Sequence, residues 1–397
     1  MTKHSKPRKR LAKPTALSLF SGAGGMDIGL EAAGFRIVLA VERDKVCCET
    51  LRLNHSWKVL ESDLDTVAPE KILEAAKLRR RSLDLISAGP PCQPFSKSAN
   101  WSPQGVRRLR DPRASALQSL MTVIERTLPS CVLIENVEGF RRGGLRRVIE
   151  EFRRINRTQG TRYRSHWQIL NTSDYGVPQM RRRLFLVAFR DGRHFSFPAP
   201  THSKNPITCW DAIGGLSKQR PDLAVRGRWA ELLPSIPEGK NYLWHTNRGG
   251  GLRLFGWRTK YWSFLLKLSK EQPAWTIPAQ PAQNAGPFHW HNRELRTSEM
   301  MRLQTFPRDI FLAGSRSDRQ RQLGNAVPCL MAEILGRAIC AELGVTIDPL
   351  RPYKLGVKKR GEAPPPEDIS SPSTQYLHMI GRHKDHPGAG LGPAYQR

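Results

Sequence analysis

Cys92 stands in the octapeptide Gly89-Pro90-Pro91-Cys92-Gln93-Pro94-Phe95-Ser96, directly after the apolar run 83–88. A strand that ends in glycine and two prolines can neither continue its ladder nor coil into a helix. The thiol is therefore presented from a stiff turn at a strand's carboxyl end, the edge where ligands bind in an open α/β sheet. A cysteine there is a candidate nucleophile, against the plainer reading of a packed thiol in a Pro-rich loop. The other six cysteines lie at 47, 48, 131, 209, 329 and 340, and none forms a C-x-x-C pair. Zinc-ribbon and thioredoxin-type chemistry are thus unsupported, no metal is expected, and the usage fits a reducing cytoplasm. Cys131, inside an apolar strand, and Cys340, in an amphipathic helix, read as core.

A nucleophile needs an acid and a positive field nearby. Glu135-Asn136-Val137 follows the apolar residues 131–134, so Glu135 sits at the sheet's carboxyl edge beside Cys92 and is a plausible acid. Gln179-Met180-Arg181-Arg182-Arg183 precedes the apolar run 184–189. If extended, it turns Gln179, Arg181 and Arg183 to one face and Arg182 to the other. Such a cluster is either a phosphate-binding surface or a pair of arginines aimed at an acidic active site.

A second constellation reads as a cofactor site. Residues 17–25, Leu-Ser-Leu-Phe-Ser-Gly-Ala-Gly-Gly, run from a strand into a glycine-rich turn and then a helix. Glycines let a ligand approach the backbone, and a helix start offers unpaired N–H groups. Glu42 ends the second strand, 20 residues after Gly22, where a carboxylate can take both ribose hydroxyls. Asp63, near the end of the next short strand, could accept from an adenine amino group. Each carboxylate alone also fits a solvated loop. A ribose carboxylate without a phosphate-binding lysine suits a nucleoside-like cofactor, S-adenosylmethionine better than NAD or ATP.

The elements that must hold these groups follow from the pattern. Apolar runs at 16–20, 37–41, 83–88, 131–137 and 184–189 alternate with helical stretches at 27–33, 45–54, 115–127 and 145–157. This predicts an α/β fold, a mostly parallel sheet with helices on both faces, over a domain of residues 15–190. From 191 to 290 the chain turns Pro- and Gly-rich, which predicts a separate lobe of loops and short strands. Regular structure resumes at 297–303 and 327–343, so 291–345 is expected to return to the first domain. Residues 1–14 read as a disordered basic arm. The Pro-, Gly- and Ser-rich tail 346–397 is expected to form no core.

Charge points to the partner. Lys and Arg number 64 against 35 Asp and Glu, a net +29 in 397 residues, which calls for a polyanion. No run of about 18 apolar residues is present, so no membrane span is expected. Residues 241–270 carry six Lys or Arg and no acid, interleaved with seven aromatics. Arg248, Arg253, Arg258 and Lys260 are candidate DNA contacts there. The stretch reads as a nucleic-acid surface, as a small aromatic core with a basic rim, or as both.

In this order the pieces resemble the DNA (cytosine-5) methyltransferase family, over residues 15–190 and 291–340, with 191–290 where the family has its target-recognition domain. The cofactor motif is Phe20 to Gly25, with Gly22, Gly24 and Gly25. Pro91-Cys92-Gln93 is similar to the nucleophile motif, Glu135-Asn136-Val137 to the acid motif and Gln179 to Arg183 to the Q-x-R-x-R motif. Arg302-Leu303-Gln304-Thr305-Phe306-Pro307 and Gly324-Asn325-Ala326-Val327 resemble the closing motifs. Three positions depart: Arg43 where an aromatic often follows the ribose glutamate, Ala114 for a glycine, and Arg296 for a threonine.

The resemblance implies an enzyme that moves a methyl group from S-adenosylmethionine to C5 of cytosine in double-stranded DNA. Cys92 attacks C6 of a base flipped from the duplex, protonated Glu135 donates to N3, and Arg181 and Arg183 hold base and acid. Leu64, Asn325 and Val327 join Glu42 and Asp63 at the cofactor. The loop 97–110 closes over the base, with Ser98 filling the gap. The compact size resembles stand-alone bacterial modification enzymes: cytoplasmic, monomeric, and accompanied in some systems by a restriction endonuclease acting on the same site. Competing readings are a tRNA cytosine methyltransferase and a silent DNA-binding protein on this fold. The N/S/D-P-P-Y/F/W tetrapeptide of amino-methylating enzymes is absent.

Overall fold

The computed structural model describes residues 13–91, 115–216, 221–256, 262–348 and 350–381. Chain order runs β1 (Thr15–Leu19), α1 (Gly25–Ala33), β2 (Arg36–Glu42), α2 (Lys45–Asn54), β3 (Val59–Glu61), α3 (Pro69–Ala75), β4 (Leu85–Ala88), α4 (Ser115–Thr127), β5 (Cys131–Val137), α5 (Gly144–Gln159), β6 (Arg164–Asn171), β7 (Gln179–Met180) and β8 (Arg182–Phe189). After it come α6 (Cys209–Ile213), β9 (Ala274–Trp275), α7 (Thr297–Leu303), α8 (Arg316–Asn325) and α9 (Cys329–Glu342).

Seven strands form one sheet in the order β3-β2-β1-β4-β5-β8-β6. The strands β1 to β5 pair in parallel, and β8 pairs antiparallel with both β5 and β6. The apolar residues divide by strand alternation. Cys131, Leu133, Phe185 and Val187 enter one core with α1 and α9. Val132, Ile134, Leu184 and Leu186 enter the other with α4 and α5. Both faces are covered, which is why these strands read as unbroken apolar runs. The strand β6 lies at the edge with a half-exposed pattern. Its polar sequence, Arg-Ser-His-Trp-Gln, carried no apolar run by which to find it.

The chain leaves β1 toward β2 and β3 on one side, then crosses back to β4 and β5 on the other. The carboxyl ends of β1 and β4 therefore flank the point where strand order reverses, where a crevice opens. The closing segment packs back here. A Cβ on Gly29 would lie 2.3 Å from the Cys329 carbonyl, and one on Gly25 2.4 Å from the Val327 carbonyl. Only glycine lets α1 and α9 approach this closely.

Two expectations are corrected. The described part of 191–290 is built mainly of short helical turns, with one two-residue strand and isolated bridges rather than several strands. Its aromatic residues Trp229, Tyr242, Phe255 and Phe264 form a core of their own. The tail, expected to form no core, is ordered over 350–381 and buries Tyr376 and Met379 in that same core. Its prolines limited backbone freedom without preventing two apolar side chains from docking on a surface built elsewhere. The one stretch among the described residues apolar enough to cross a membrane by composition lies within Arg316–Glu342, and 83% of its most apolar window is buried inside the fold.

Candidate active site

The candidate acid is the best-defined group. Glu135 ends the apolar part of β5, 8% exposed, and its Oε1 accepts from Arg183 Nε at 3.0 Å. Burial pushes its carboxyl above the ordinary range, while the guanidinium groups of Arg183 and Arg181 pull it back. This balance holds a proton more firmly than a solvated glutamate does. Register explains the contact. Val137 of β5 pairs with Arg183 of β8, and Glu135 with Phe185, on adjacent antiparallel strands.

Alternation places the arginines as expected. Gln179 and Arg181 are buried and Arg183 nearly so, whereas Arg182 points outward to Glu138 at 3.2 Å. Arg181 Nη2 donates to the Gly324 carbonyl at 2.9 Å, tying this strand to the second closing motif. The outward Arg182 has no part in the site.

The turn that precedes Cys92 in the chain arrives next to Glu135. Asn136 Nδ2 donates to the Pro90 carbonyl at 3.1 Å, and a Cβ on Gly89 would lie 3.8 Å from Glu135 Oε2. Cys92 and Ser98 lie outside the described residues, as do Ala114, Arg258 and Lys260. The six described cysteines are all buried. Desolvation raises each of their thiols, which makes them poor nucleophiles.

The residues at the end of β1 suit a nucleoside cofactor. Phe20, Gly22 and Gly24 adopt positive φ, of 57°, 55° and 78°. Nothing lies within 4 Å of a Cβ built on Gly22, so a ligand can lie directly on that backbone. Glu42 is held rigidly across the crevice mouth. Its Oε2 accepts from Gly22 N–H, and its Oε1 from the N–H groups of Arg43 and Asp44, each at 2.8 Å. A carboxylate has about four acceptor sites, and with three filled here one remains, on Oε2, for a ribose hydroxyl.

Asp63 pairs with Arg43 Nη1 at 3.1 Å. Burial opposes its ionisation, but the Asp65 N–H and the Arg43 guanidinium together keep its carboxyl below the ordinary range. The arginine that replaces the usual aromatic thus engages the carboxylate assigned to the adenine. Leu64 is buried in the core below, Val327 packs against Gly25, and Asn325 ends α8 exposed. Arg296, the third departure, precedes α7 and donates its backbone N–H to the buried Glu299 at 2.8 Å.

In the lobe, Arg248 and Arg253 are exposed. Lys270, from the same basic stretch, is instead buried between Glu238 at 2.8 Å and Glu367 at 2.9 Å. Sequence reasoning passed over the β7–β9 pairing. It sets Trp275 opposite Met180, and Thr276 Oγ1 donates to the Met180 carbonyl at 2.7 Å. The lobe is thereby bonded to the strand that leads into Arg181.

Comparison with known proteins fits this geometry. The family described as C-5 cytosine-specific DNA methylase matches residues 15–341. The Type II methyltransferase M.SacI of Streptomyces achromogenes is 36% identical, over 83% of this chain and 93% of its own length. M.AquIA of Picosynechococcus is 39% identical, over 56% of this chain and 90% of its own length. Two solved structures share the fold. A putative DNA modification methyltransferase from an E. coli prophage has TM-score 0.58 at 21% identity, covering 83% of this chain and 99% of its own. The Entamoeba histolytica methyltransferase EhMeth has TM-score 0.60 at 16% identity, covering 83% and 99%. The chain belongs to the C-5 cytosine-specific DNA methylase family. Its reaction is methyl transfer to C5 of cytosine in DNA.

Proposed function

We propose that this chain methylates cytosine through a covalent adduct between Cys92 and C6 of a flipped base, with Glu135 as the acid. The observation that carries the reading is the buried Glu135–Arg183 pair beside the turn that leads to Cys92, joined to it through Asn136 and Pro90. The thiolate of Cys92 adds to C6 while Glu135 gives its proton to N3, so the base becomes an enamine and its C5 a nucleophile. Once C5 is methylated, loss of its proton restores the C5–C6 double bond and expels the thiolate. Arg181 and Arg183 hold the base and orient the acid. Flipping costs a few kcal/mol, offset by phosphate contacts of a chain with net charge +29.

S-adenosylmethionine, bound over Gly22 with Glu42 on its ribose, would supply an electrophilic methyl group. The open backbone at Gly22 and the fixed Glu42 carboxylate support this assignment. Phe20, Gly24, Gly25, Asp63, Leu64, Asn325 and Val327 complete the cofactor set.

Residues 191–290 read the duplex, with Arg248, Arg253, Arg258 and Lys260 toward the DNA and Ser98 in the gap left by the base. Trp262 joins them. It is 50% exposed, and its ring meets Trp275 at 5.3 Å, directly beside the catalytic strand. The relatives named Type II methyltransferases support a restriction-modification role, and we further propose a monomer acting in the cytoplasm alongside an endonuclease for the same site.

Trapping tests the proposal. DNA carrying 5-fluorocytosine at the target blocks the final elimination and should yield a stable adduct that maps to Cys92. A Cys92→Ser protein should bind DNA without forming it. An adduct that persists in this variant would overturn the assignment.

A further inference from the structure

The ordered tail runs from the catalytic domain to the recognition lobe and is bonded to both. At its start, the buried Glu333 of α9 accepts from the backbone N–H groups of Lys354 and Leu355, each at 2.9 Å. Arg337 of the same helix donates to the Pro352 carbonyl at 2.7 Å. Midway, Arg360 N–H donates to Asp211 of α6 at 2.7 Å, and its Nε to the Asp211 carbonyl at 3.2 Å. Further on, Glu367 closes the buried Lys270–Glu238 pair from above, and its N–H donates to Glu238 at 3.0 Å. At its end, Tyr376 stacks on Trp229 with ring centroids 5.7 Å apart and donates from its hydroxyl to the Arg228 carbonyl at 2.8 Å.

We propose that residues 350–381 are a strap that sets the orientation of the recognition lobe against the catalytic edge, with Arg360, Glu367 and Tyr376 as its positioning residues. The inference rests on reading residues 191–290 as the part that recognises sequence. Its physical basis is the separation of two cores. Phe195, Cys209, Ile213, Leu268 and Trp290 of residues 191–290 pack in the main core with the catalytic sheet, whereas Trp229, Tyr242, Phe255 and Phe264 form a core of their own. The strap bridges the two, with Leu355 and Val357 packed on the main core and Tyr376 and Met379 buried in the aromatic one, and so restrains rotation of the aromatic part against the catalytic edge. A lobe displaced by about 1 Å can lower turnover on the order of 100-fold.

The experiment uses the full chain with Arg360→Ala, Glu367→Gln, Tyr376→Phe and Tyr376→Ala. S-adenosylmethionine affinity, methyl transfer to unmethylated plasmid DNA, and the spectrum of methylated sequences by bisulfite sequencing are measured for each. The strap predicts unchanged cofactor affinity, kcat/KM lowered between about 10- and 100-fold, and a broadened sequence spectrum. Tyr376→Phe, which keeps the ring, should recover most of the loss in Tyr376→Ala. Arg360→Ala leaves the lobe's aromatic core intact, so it reports even where Tyr376→Ala does not fold. A purely structural role would lower the yield of folded enzyme and leave the spectrum unchanged. That result, or wild-type turnover in Arg360→Ala and Glu367→Gln, overturns the strap. Exchange of residues 191–290 with those of a relative of different target tests the underlying reading separately. If the spectrum follows the exchange but not the strap variants, only the strap fails.

Discussion

Asn136 and Pro90 are joined by a 3.1 Å hydrogen bond from Asn136 Nδ2 to the Pro90 carbonyl. This ties the strand that carries Glu135 to the turn that precedes Cys92 in the chain. Pro90 cannot donate, and its carbonyl is met here by a side chain that is itself 1% exposed. Asn136 thereby holds the Gly89-Pro90-Pro91 turn against the strand that carries Glu135.

Asn136→Ala should lower kcat while leaving S-adenosylmethionine affinity unchanged. The variant leaves a buried carbonyl unpaired, costing about 1–3 kcal/mol, and lets the turn drift from the acid. Single-turnover kinetics with tritiated cofactor would measure the step. A wild-type rate in the folded variant would show that the bond positions nothing.

Glu42→Ala should weaken S-adenosylmethionine binding by about 1.5–3 kcal/mol, the range for hydrogen bonds to a charged group. DNA affinity without cofactor should barely change. The variant also removes the acceptor for three backbone N–H groups, so Glu42→Gln is the better-behaved partner. Calorimetric titration of both variants decides. Equal affinity in all three proteins would move the ribose elsewhere.

Asp27 makes stability depend on pH. It is wholly buried in the first turn of α1, and burial raises its carboxyl from 3.8 to about 7. The Ser18 and Ser87 hydroxyls beside it oppose the shift without hydrogen bonds of good geometry, and Glu31 and Glu42 add to it. Between about pH 4 and pH 7 the folded state keeps a proton that the unfolded chain has lost. Stability contributed by the neutral acid is thus fully present below pH 4 and falls as pH rises to about 7, by roughly 4 kcal/mol in all. Asp27→Asn should flatten this part of the Tm–pH curve relative to the wild type. Parallel curves would contradict the shifted acid.

Trp262→Ala should weaken DNA binding by roughly 1–3 kcal/mol, the range for one base on an aromatic platform. Cofactor affinity should be unaffected, and Trp262→Phe should retain part of the binding. Fluorescence anisotropy with an unmethylated duplex measures this. Unchanged affinity in both variants would mean that the indole meets only solvent.

The local chemistry was legible because each motif joins a strand end to a turn. The bounds 45–54 and 115–127 read from the sequence coincide with α2 and α4, and 131–137 with β5. Two-faced burial makes a strand continuously apolar, and the alternation of Gln179, Arg181, Arg182 and Arg183 follows from the two-residue period of a strand. By those rules alone, Glu135 had to end at the sheet edge beside the Gly89-Pro90-Pro91 turn, and Arg182 had to point away from it.

What no local pattern carries is the pairing of residues far apart in sequence. Asp63 reads as a solvated carboxylate or an adenine contact until Arg43 folds onto it, and Lys270 as one more charge of a basic stretch until Glu238 and Glu367 enclose it. Edge strand β6 hides because one exposed face removes the apolar signal. The tail hides because Tyr376 and Met379 bury themselves in a core supplied by residues of the distant stretch 225–288. Strand ends, turns and face alternation are properties of neighbours in the chain, whereas the partner of a buried charge or a docked ring exists only once the chain has folded.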